Sequence, residues 1–478
     1  MRRRVTASTR TTRPFRTGDE DARNEIRDSV QPSAGPGSAH GQSFWGHPMS
    51  EAATITLQHR RRVARPQTRS RVKALHGERL AVAMAAIAVA ALPLLAPHGP
   101  ANSGPEDVLI GLALAGFLLW AGTSGHRLRF AFGIPMALFI GGGALGALAG
   151  PVPDAGLTAI VQDMILLAWC WAFINIASSA HRLKVLLSTW VYSSIGWATL
   201  LFIGLGTGVT FLSGQTTREG SRTALTFGDP NVCANYFVIS IMLLWATGRP
   251  RRRALRFGAY GLLLAALLST GSNSGMVSVL VATVVATVVG IERKAGVVPA
   301  LTASAFILVG GFLLVSNLNL KSIQQKAYAS PHAFIRDGLG RGEVSVDQRA
   351  TLLHESVGLY EAGGPLGTGP VSTKPRLAAE LAPFVKEAHN DYSAALTERG
   401  VIGAVGLLLL MSGLIVRSVS LAKTRLTPAF AAVVLKPNAI IGALAGTMVA
   451  ETVYELLHVR QVWTLFAIVA GLVIWGRD

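Results

Sequence analysis

The chain has 478 residues, 50% hydrophobic and only 15% charged, with a mean hydropathy of +0.43; a soluble globular domain carries about 25% charged residues, so an ordinary soluble enzyme is excluded. Two cysteines, Cys170 and Cys233, without CxxC spacing, exclude a disulfide scaffold and a thiolate metal cluster. The net charge of +18, from 44 basic and 26 acidic residues, is unevenly placed along the chain.

Residues 1–79 hold 16 Lys and Arg against 7 Asp and Glu. Rich in Arg, Ser, Thr, Gly and Pro and lacking an apolar period, they are expected to form a disordered basic tail. No aromatic platform is interleaved with the arginines, so the tail reads as the cytoplasmic flank of a first membrane helix and not as a nucleic-acid binder. Met49 opens a plausible shorter start. No cleavable secretory signal is expected, because the first apolar block lies far from Met1.

Twelve apolar blocks follow, each near the ~20 residues a helix needs to cross a bilayer: about 80–97, 107–123, 130–149, 156–178, 185–206, 231–247, 254–269, 275–291, 297–316, 400–416, 430–450 and 461–476. The expected fold class is all-α, a polytopic membrane protein with spans 1–9 over 80–316, a large loop over 317–399 and spans 10–12 over 400–476. Alternate short loops carry Arg127 and Arg129; Arg182 and Lys184; Arg249 to Arg256; Arg293 and Lys294; Arg417, Lys423 and Arg425. The opposite loops 98–106, 150–155 and 270–274 carry no Lys or Arg, and 207–230 carries only Arg218 and Arg222. The positive-inside rule therefore puts both termini in the cytoplasm and the large loop outside.

That loop is too long for a connector. Gln348 to Glu361 reads as an amphipathic helix with Leu352, Leu353, Val357 and Tyr360 on one face. A glycine-rich turn, Gly363 to Gly369, follows it. A second helix is expected over Pro375 to Lys386.

At the loop's end stands His389-Asn390, then nine residues, then Gly400-Val-Ile-Gly403. This resembles the HN, nine residues, GxxG motif of the O-antigen ligase and polymerase family, bacterial membrane enzymes that move glycans from an isoprenoid diphosphate carrier. Arg222, followed by Pro230-Asn231 at the start of a span, resembles another family element; so do Arg349 and the Pro365-Leu-Gly-Thr-Gly369 turn. The resemblance covers about residues 80–476. It implies a GT-C-like glycosyltransferase of the bacterial cytoplasmic membrane that inverts the anomeric carbon, with an isoprenoid diphosphate-linked oligosaccharide as donor and membrane lipids as surroundings. The acceptor stays open among glycan, lipid and protein. The abundance of arginine and alanine suggests a GC-rich genome, which favours a polymerase or a wall-glycan ligase.

An imidazole, with an ordinary pKa of about 6.5, can take the proton of an attacking hydroxyl near neutrality, and the resemblance gives His389 this base role, with Asn390 beside it. Arg222 offers a planar fork of donors matched to phosphate oxygens and is the expected diphosphate clamp. Asp229 either orients it or caps span 6. Where the family usually has a Ser-Arg pair after span 7, this chain reads Thr270-Gly-Ser-Asn-Ser-Gly275; Asn273 can donate hydrogen bonds to phosphate but brings no charge. Arg349 is either a second charge or a solvated helix residue. Gly400 and Gly403 are expected to let span 10 pack closely on another helix.

Ionisable residues inside spans are functional candidates: Asp163, Lys436, and Glu451, Glu455, His458 and Arg460, the last four read chiefly as interfacial residues at a helix end. No metal ligand set, DxD pair or nucleotide loop is found, so metal-independent chemistry without cofactors is expected. The rival reading is a transporter or lipid-linked sugar flippase, with Asp163 and Lys436 as its gating pair.

Overall fold

A computed structural model describes residues 67–95, 103–216, 220–332, 335–336, 342–380 and 389–477. The expected basic tail lies outside these residues apart from its last part, which is helical. From Pro66 onward the chain forms one unit.

Every expected apolar block overlaps a helix, the first only as far as Ala90: α1 Gln67–Ala90, α2 Pro105–Ser124, α3 Gly133–Ala149, α4 Pro153–Ile176, α5 Ala180–Thr207, α6 Pro230–Thr247, α7 Arg253–Ser269, α8 Asn273–Ala295 and α9 Val297–Asn317. The loop then supplies α10 Leu320–Tyr328, α11 Gly342–Gly363 and α12 Thr373–Ala379, followed by α13 Asp391–Lys423, α14 Pro437–Glu451 and α15 Arg460–Trp475. Among the described residues there is no strand, only an isolated bridge between Leu426 and Arg477. Six helices, α2, α4, α5, α6, α8 and α13, are long and apolar enough to cross a membrane; α3, α15 and Val297–Leu313 of α9 are shorter apolar helices.

Helix starts follow from local chemistry. Ser179, Asp229, Ser272 and Asn390 accept backbone N–H groups at the N-termini of α5, α6, α8 and α13, meeting donors the helix cannot satisfy itself. Pro105, Pro153, Pro230 and Pro437 occupy first helical positions, where a missing N–H costs nothing.

The starts of α13 and α14 and the buried face of α11 differ from expectation. Helix α13 begins at Asp391, nine residues before the expected span, because Asn390 caps it there. Helix α14 begins at Pro437, which leaves Lys436 outside it. On α11 the buried positions are Leu352, Ser356 and Leu359, while Leu353 and Val357 are about half exposed. The inward stripe therefore runs one residue off the predicted face, because α11 packs on α13 through the Ser356 carbonyl, which accepts from Thr397 Oγ1.

The bundle has two chemically different ends. At one, the basic loops are tied together: Arg417 Nη2 donates to Ala131 O at 2.8 Å, Arg293 Nη1 to Leu421 O at 2.9 Å, and Arg182 pairs with Glu78 at 3.5 Å. His126 lies there between the rings of Trp120 and Trp475, with centroids 5.1 and 5.5 Å away, and burial pushes its imidazole below the ordinary value. The outer surface of the bundle is apolar, with Ile134 74% and Phe306 75% exposed, as lipid-facing helices require.

Helices α8 and α14 form a close internal seam. Asn438 Nδ2 donates to Ala286 O at 2.6 Å; Gly442 lies against Ala282 and Gly446 against Ser278. The pairing descends on α8 as it ascends on α14, so the two run antiparallel, and the next step sets the end of α14 beside the start of α8. Asn235 Nδ2 on α6 donates to Thr447 Oγ1 at 3.2 Å, and Gln461 Nε2 on α15 to Val232 O at 3.3 Å. The starts of α6, α8 and α15 thus gather at the end of α14, away from the basic loops.

Candidate functional site

Three consecutive residues grip the segment joining α14 to α15. His389 N–H donates to Glu455 Oε1 at 2.9 Å. Asn390 Nδ2 donates to Thr452 O at 2.9 Å, while its Oδ1 accepts from the N–H groups of Tyr392 and Ser393 at 2.9 and 3.1 Å. Asp391, buried, accepts from the N–H groups of Leu456 and Leu457 at 2.7 and 3.2 Å. His389 has a φ of +50°, a left-handed conformation that costs a non-glycine residue roughly 1–2 kcal/mol and persists only where neighbours hold it. Its ring lies 5.3 Å from that of Tyr454 at 42°, and the residue is half-buried.

The second group surrounds Arg222. Its Nε donates to Thr270 O at 2.9 Å and its Nη2 to Asn231 Oδ1 at 3.4 Å. Asn231 Oδ1 also accepts from Ser272 Oγ at 2.8 Å. The structure therefore brings together Arg222, Asn231 and the Thr270–Ser274 loop. Asp229 caps α6 through Asn231 and Val232 N–H. Asn273 is the first residue of α8, half-buried beside them.

Both groups sit at the same end of the α8–α14 seam, one on the segment after α14, the other at the start of α8. Arg349 lies within α11, among positions whose side chains fall outside the description.

A glycine wedge fixes the entrance to α13. Gly400 breaks the helix with φ +64°, which releases backbone groups to the preceding turn: Thr368 N–H donates to Thr397 O at 3.0 Å, Gly369 N–H to Glu398 O at 2.8 Å, and Val401 N–H to Pro365 O at 2.9 Å. A Cβ on Gly400 would collide with Pro365 O, and one on Gly142 of α3 with Gly403 N. The close contact of α3 with α13 thus needs the glycine at 142, whereas a Cβ on Gly403 would meet Arg399 of its own helix, and Gly400 is needed for its backbone conformation.

Residues 258–408 match the family model described as O-antigen ligase. That O-antigen ligase domain takes in 151 of the chain's 478 residues. No curated protein matches the chain. The matched stretch runs from α7 to the middle of α13 and contains Asn273, Arg349, the Pro365–Gly369 turn, His389, Asn390, Gly400 and Gly403, while Arg222, Pro230 and Asn231 precede it.

Around the ligase domain the structure adds residues that the sequence reading passed over. Asp391, Tyr454 and Glu398 were not singled out; the Glu398 carboxylate accepts from Val371 N–H at 3.0 Å and Thr373 Oγ1 at 2.7 Å, tying α12 to the helix break. Arg399 pairs with Asp163 at 2.7 Å, both largely buried, and its guanidinium lies 3.9 Å from the Phe139 ring centroid. Asp163 is therefore not joined to Lys436, whose Nζ lies 5.8 Å from the Trp245 ring at the other end of α14. The interfacial reading of Glu451 and Arg460 is corrected: both are buried, and Arg460 makes a two-pronged pair with Asp107 at 2.7–2.9 Å. Glu455 and His458 are half-buried. Among the described residues no three His, Cys, Asp or Glu side chains are grouped to hold a metal ion.

Proposed function

We propose that this membrane protein is a lipid-carrier-dependent glycosyltransferase, moving an oligosaccharide from an isoprenoid diphosphate onto an acceptor hydroxyl at the outer face of the cytoplasmic membrane. The observation that carries the reading is the gathering of the His389–Asn390 group and the Arg222–Asn231 group at one end of the α8–α14 seam, opposite the basic loops. Twelve helices would span the bilayer. Helix α13, at 33 residues, would measure about 50 Å against a hydrocarbon core of about 30 Å, so its first turns, before the Gly400 break, would stand outside.

In this reading the acceptor oxygen attacks the anomeric carbon, its proton passes to the His389 imidazole, and the bond from that carbon to the diphosphate oxygen breaks with inversion. Arg222 binds the departing diphosphate, stabilising charge where it develops. Asn273 adds hydrogen bonds without charge, and Arg349 is the candidate for a second cation. The chemistry as drawn needs no metal or cofactor. A polymerase or a wall-glycan ligase is the preferred assignment.

Purified protein incubated with a lipid-linked oligosaccharide and candidate acceptors should release isoprenoid diphosphate, and His389→Ala should slow that release by 10²- to 10⁴-fold, the usual range for general-base catalysis. Release by His389→Ala at the wild-type rate would sink the base assignment. The carrier alternative has less support, because its expected gating pair is separated and Asp163 is committed to Arg399.

A further inference from the structure

Two residues past His389 stands a buried acid that glycan transfer as drawn does not use. Asp391, only 6% exposed, lies on the turns of α13 before the Gly400 break, the part that stands outside the bilayer in the proposed topology. Its Oδ2 accepts from Leu456 N–H at 2.7 Å and its Oδ1 from Leu457 N–H at 3.2 Å. The segment 452–459 is neither helix nor strand, so its N–H groups at 456 and 457 depend on the Asp391 carboxylate. That same segment presents the Glu455 carboxylate to His389 N–H, the Thr452 carbonyl to Asn390 Nδ2 and the Tyr454 ring to the His389 ring.

A carboxylate accepts from both N–H groups only while neither oxygen carries a proton. Protonation turns one oxygen into a donor that faces an N–H, and one of the two bonds is lost. The titratable and charged groups on the elements packed around Asp391 are Glu451 at the end of α14, Tyr392 and Arg399 on α13, Glu455 and His458 on the joining segment, and Arg460, paired with Asp107, at the start of α15. Burial outweighs the rest and pushes the Asp391 carboxyl up to about 7, against the two N–H donors and Arg399, which favour the charged form. The clasp is therefore engaged on the alkaline side of that value and loosens as pH falls through it.

We infer that Asp391 is a positioning residue for the proposed base: its charged form clasps the segment after α14 and, through Glu455 and Thr452, holds His389 and Asn390 in the geometry that transfer needs. The inference rests on the base reading of His389. Asp391 itself touches no substrate. The left-handed backbone of His389, with φ +50°, persists only where neighbours hold it, and a misplacement on the order of 1 Å can cost about 100-fold in rate. Two protons then oppose transfer, one on the His389 ring and one on Asp391, and the second acts only through the first residue.

The test combines a rate profile with a histidine titration of the full-length protein in detergent. Below about pH 6 the wild-type rate of isoprenoid diphosphate release should fall about 100-fold per pH unit, a tenfold factor for each proton. Asp391→Asn, which takes up no proton and keeps one acceptor oxygen, should be about 10- to 100-fold slower at about pH 8 and fall only about tenfold per unit. A second measurement needs no active variant: in protein labelled at histidine, the His389 ring resonance, assigned by its loss in His389→Ala, should shift with pH in two steps in the wild type and in one step in Asp391→Asn. A single step in the wild type, two steps surviving in Asp391→Asn, or equal rates and slopes for the two proteins would each overturn the inference. Wild-type release by His389→Ala, with the two-step titration of the intact protein unchanged, would instead remove the base assignment and leave Asp391 holding His389.

Discussion

The backbone N–H of His389 donates to Glu455 Oε1 at 2.9 Å, across 66 residues of sequence. That bond ties the left-handed backbone of His389 to the segment after α14, and in the proposed transferase Glu455 would position the base. Glu455→Ala should lower transfer about 10- to 100-fold and destabilise the protein by about 1 kcal/mol, the net value of one hydrogen bond. Glu455→Gln, which keeps an acceptor oxygen, should retain most of the rate. Equal rates for the wild type and Glu455→Ala, measured as isoprenoid diphosphate release, would remove Glu455 from the site.

A pH profile tests the base role directly. Transfer should fall as acid protonates the His389 imidazole, since a protonated ring cannot accept the hydroxyl's proton, and the residual rate of His389→Ala should lack that fall. A mutant profile parallel to the wild type would assign the titration elsewhere.

Removal of the clamp should be felt as lost rate. Arg222→Ala deletes a charge-assisted contact worth about 1.5–3 kcal/mol, and Arg222→Lys should restore only part of it because the planar fork is gone. Asn273→Arg should raise activity by supplying a second cation at the start of α8. Wild-type turnover by Arg222→Ala would show that the diphosphate lies elsewhere.

The wedge at α13 predicts a backbone effect. Gly400→Ala must place an alanine at φ +64° against Pro365 O, at a cost of about 2 kcal/mol. The melting temperature should drop, and limited proteolysis should cut the Pro365–Gly369 turn faster. An unchanged melt and cleavage pattern would mean that the break tolerates a side chain.

Asp163→Asn leaves the buried Arg399 without its counter-charge, which costs about 3–5 kcal/mol when one partner of a buried pair is removed. The transferase reading expects a less stable protein, with loss of activity that follows the loss of fold. A carrier would give a stable Asp163→Asn protein that fails to move substrate in vesicles.

Orientation is checked by single cysteines. Val371→Cys, at an exposed position of the site end, should label with an impermeant thiol reagent in intact cells, while Arg252→Cys should not; Cys170 and Cys233 are both buried. The opposite pattern would put the site in the cytoplasm.

The sequence by itself determined what depends on near neighbours. The apolar blocks mark where helices run, because backbone groups in lipid must bond within the segment; Asp229, Ser272 and Asn390 announce helix starts, because a cap reaches only two or three residues ahead. Loop charge separates one end of the bundle from the other, and the His389-Asn390 spacing to Gly400 and Gly403 points to the family. Only the tertiary structure decided which distant partner each residue meets. Glu455 and Thr452 hold the His389–Asn390 pair, Asp163 finds Arg399 instead of Lys436, Arg222 reaches Thr270, and Glu451 and Arg460 are buried where a terminal position suggested an interface. Those choices follow from the antiparallel seam of α8 and α14 and the helix break at Gly400. Both are set by close packing between segments far apart in the chain, which periodicity along one segment does not encode.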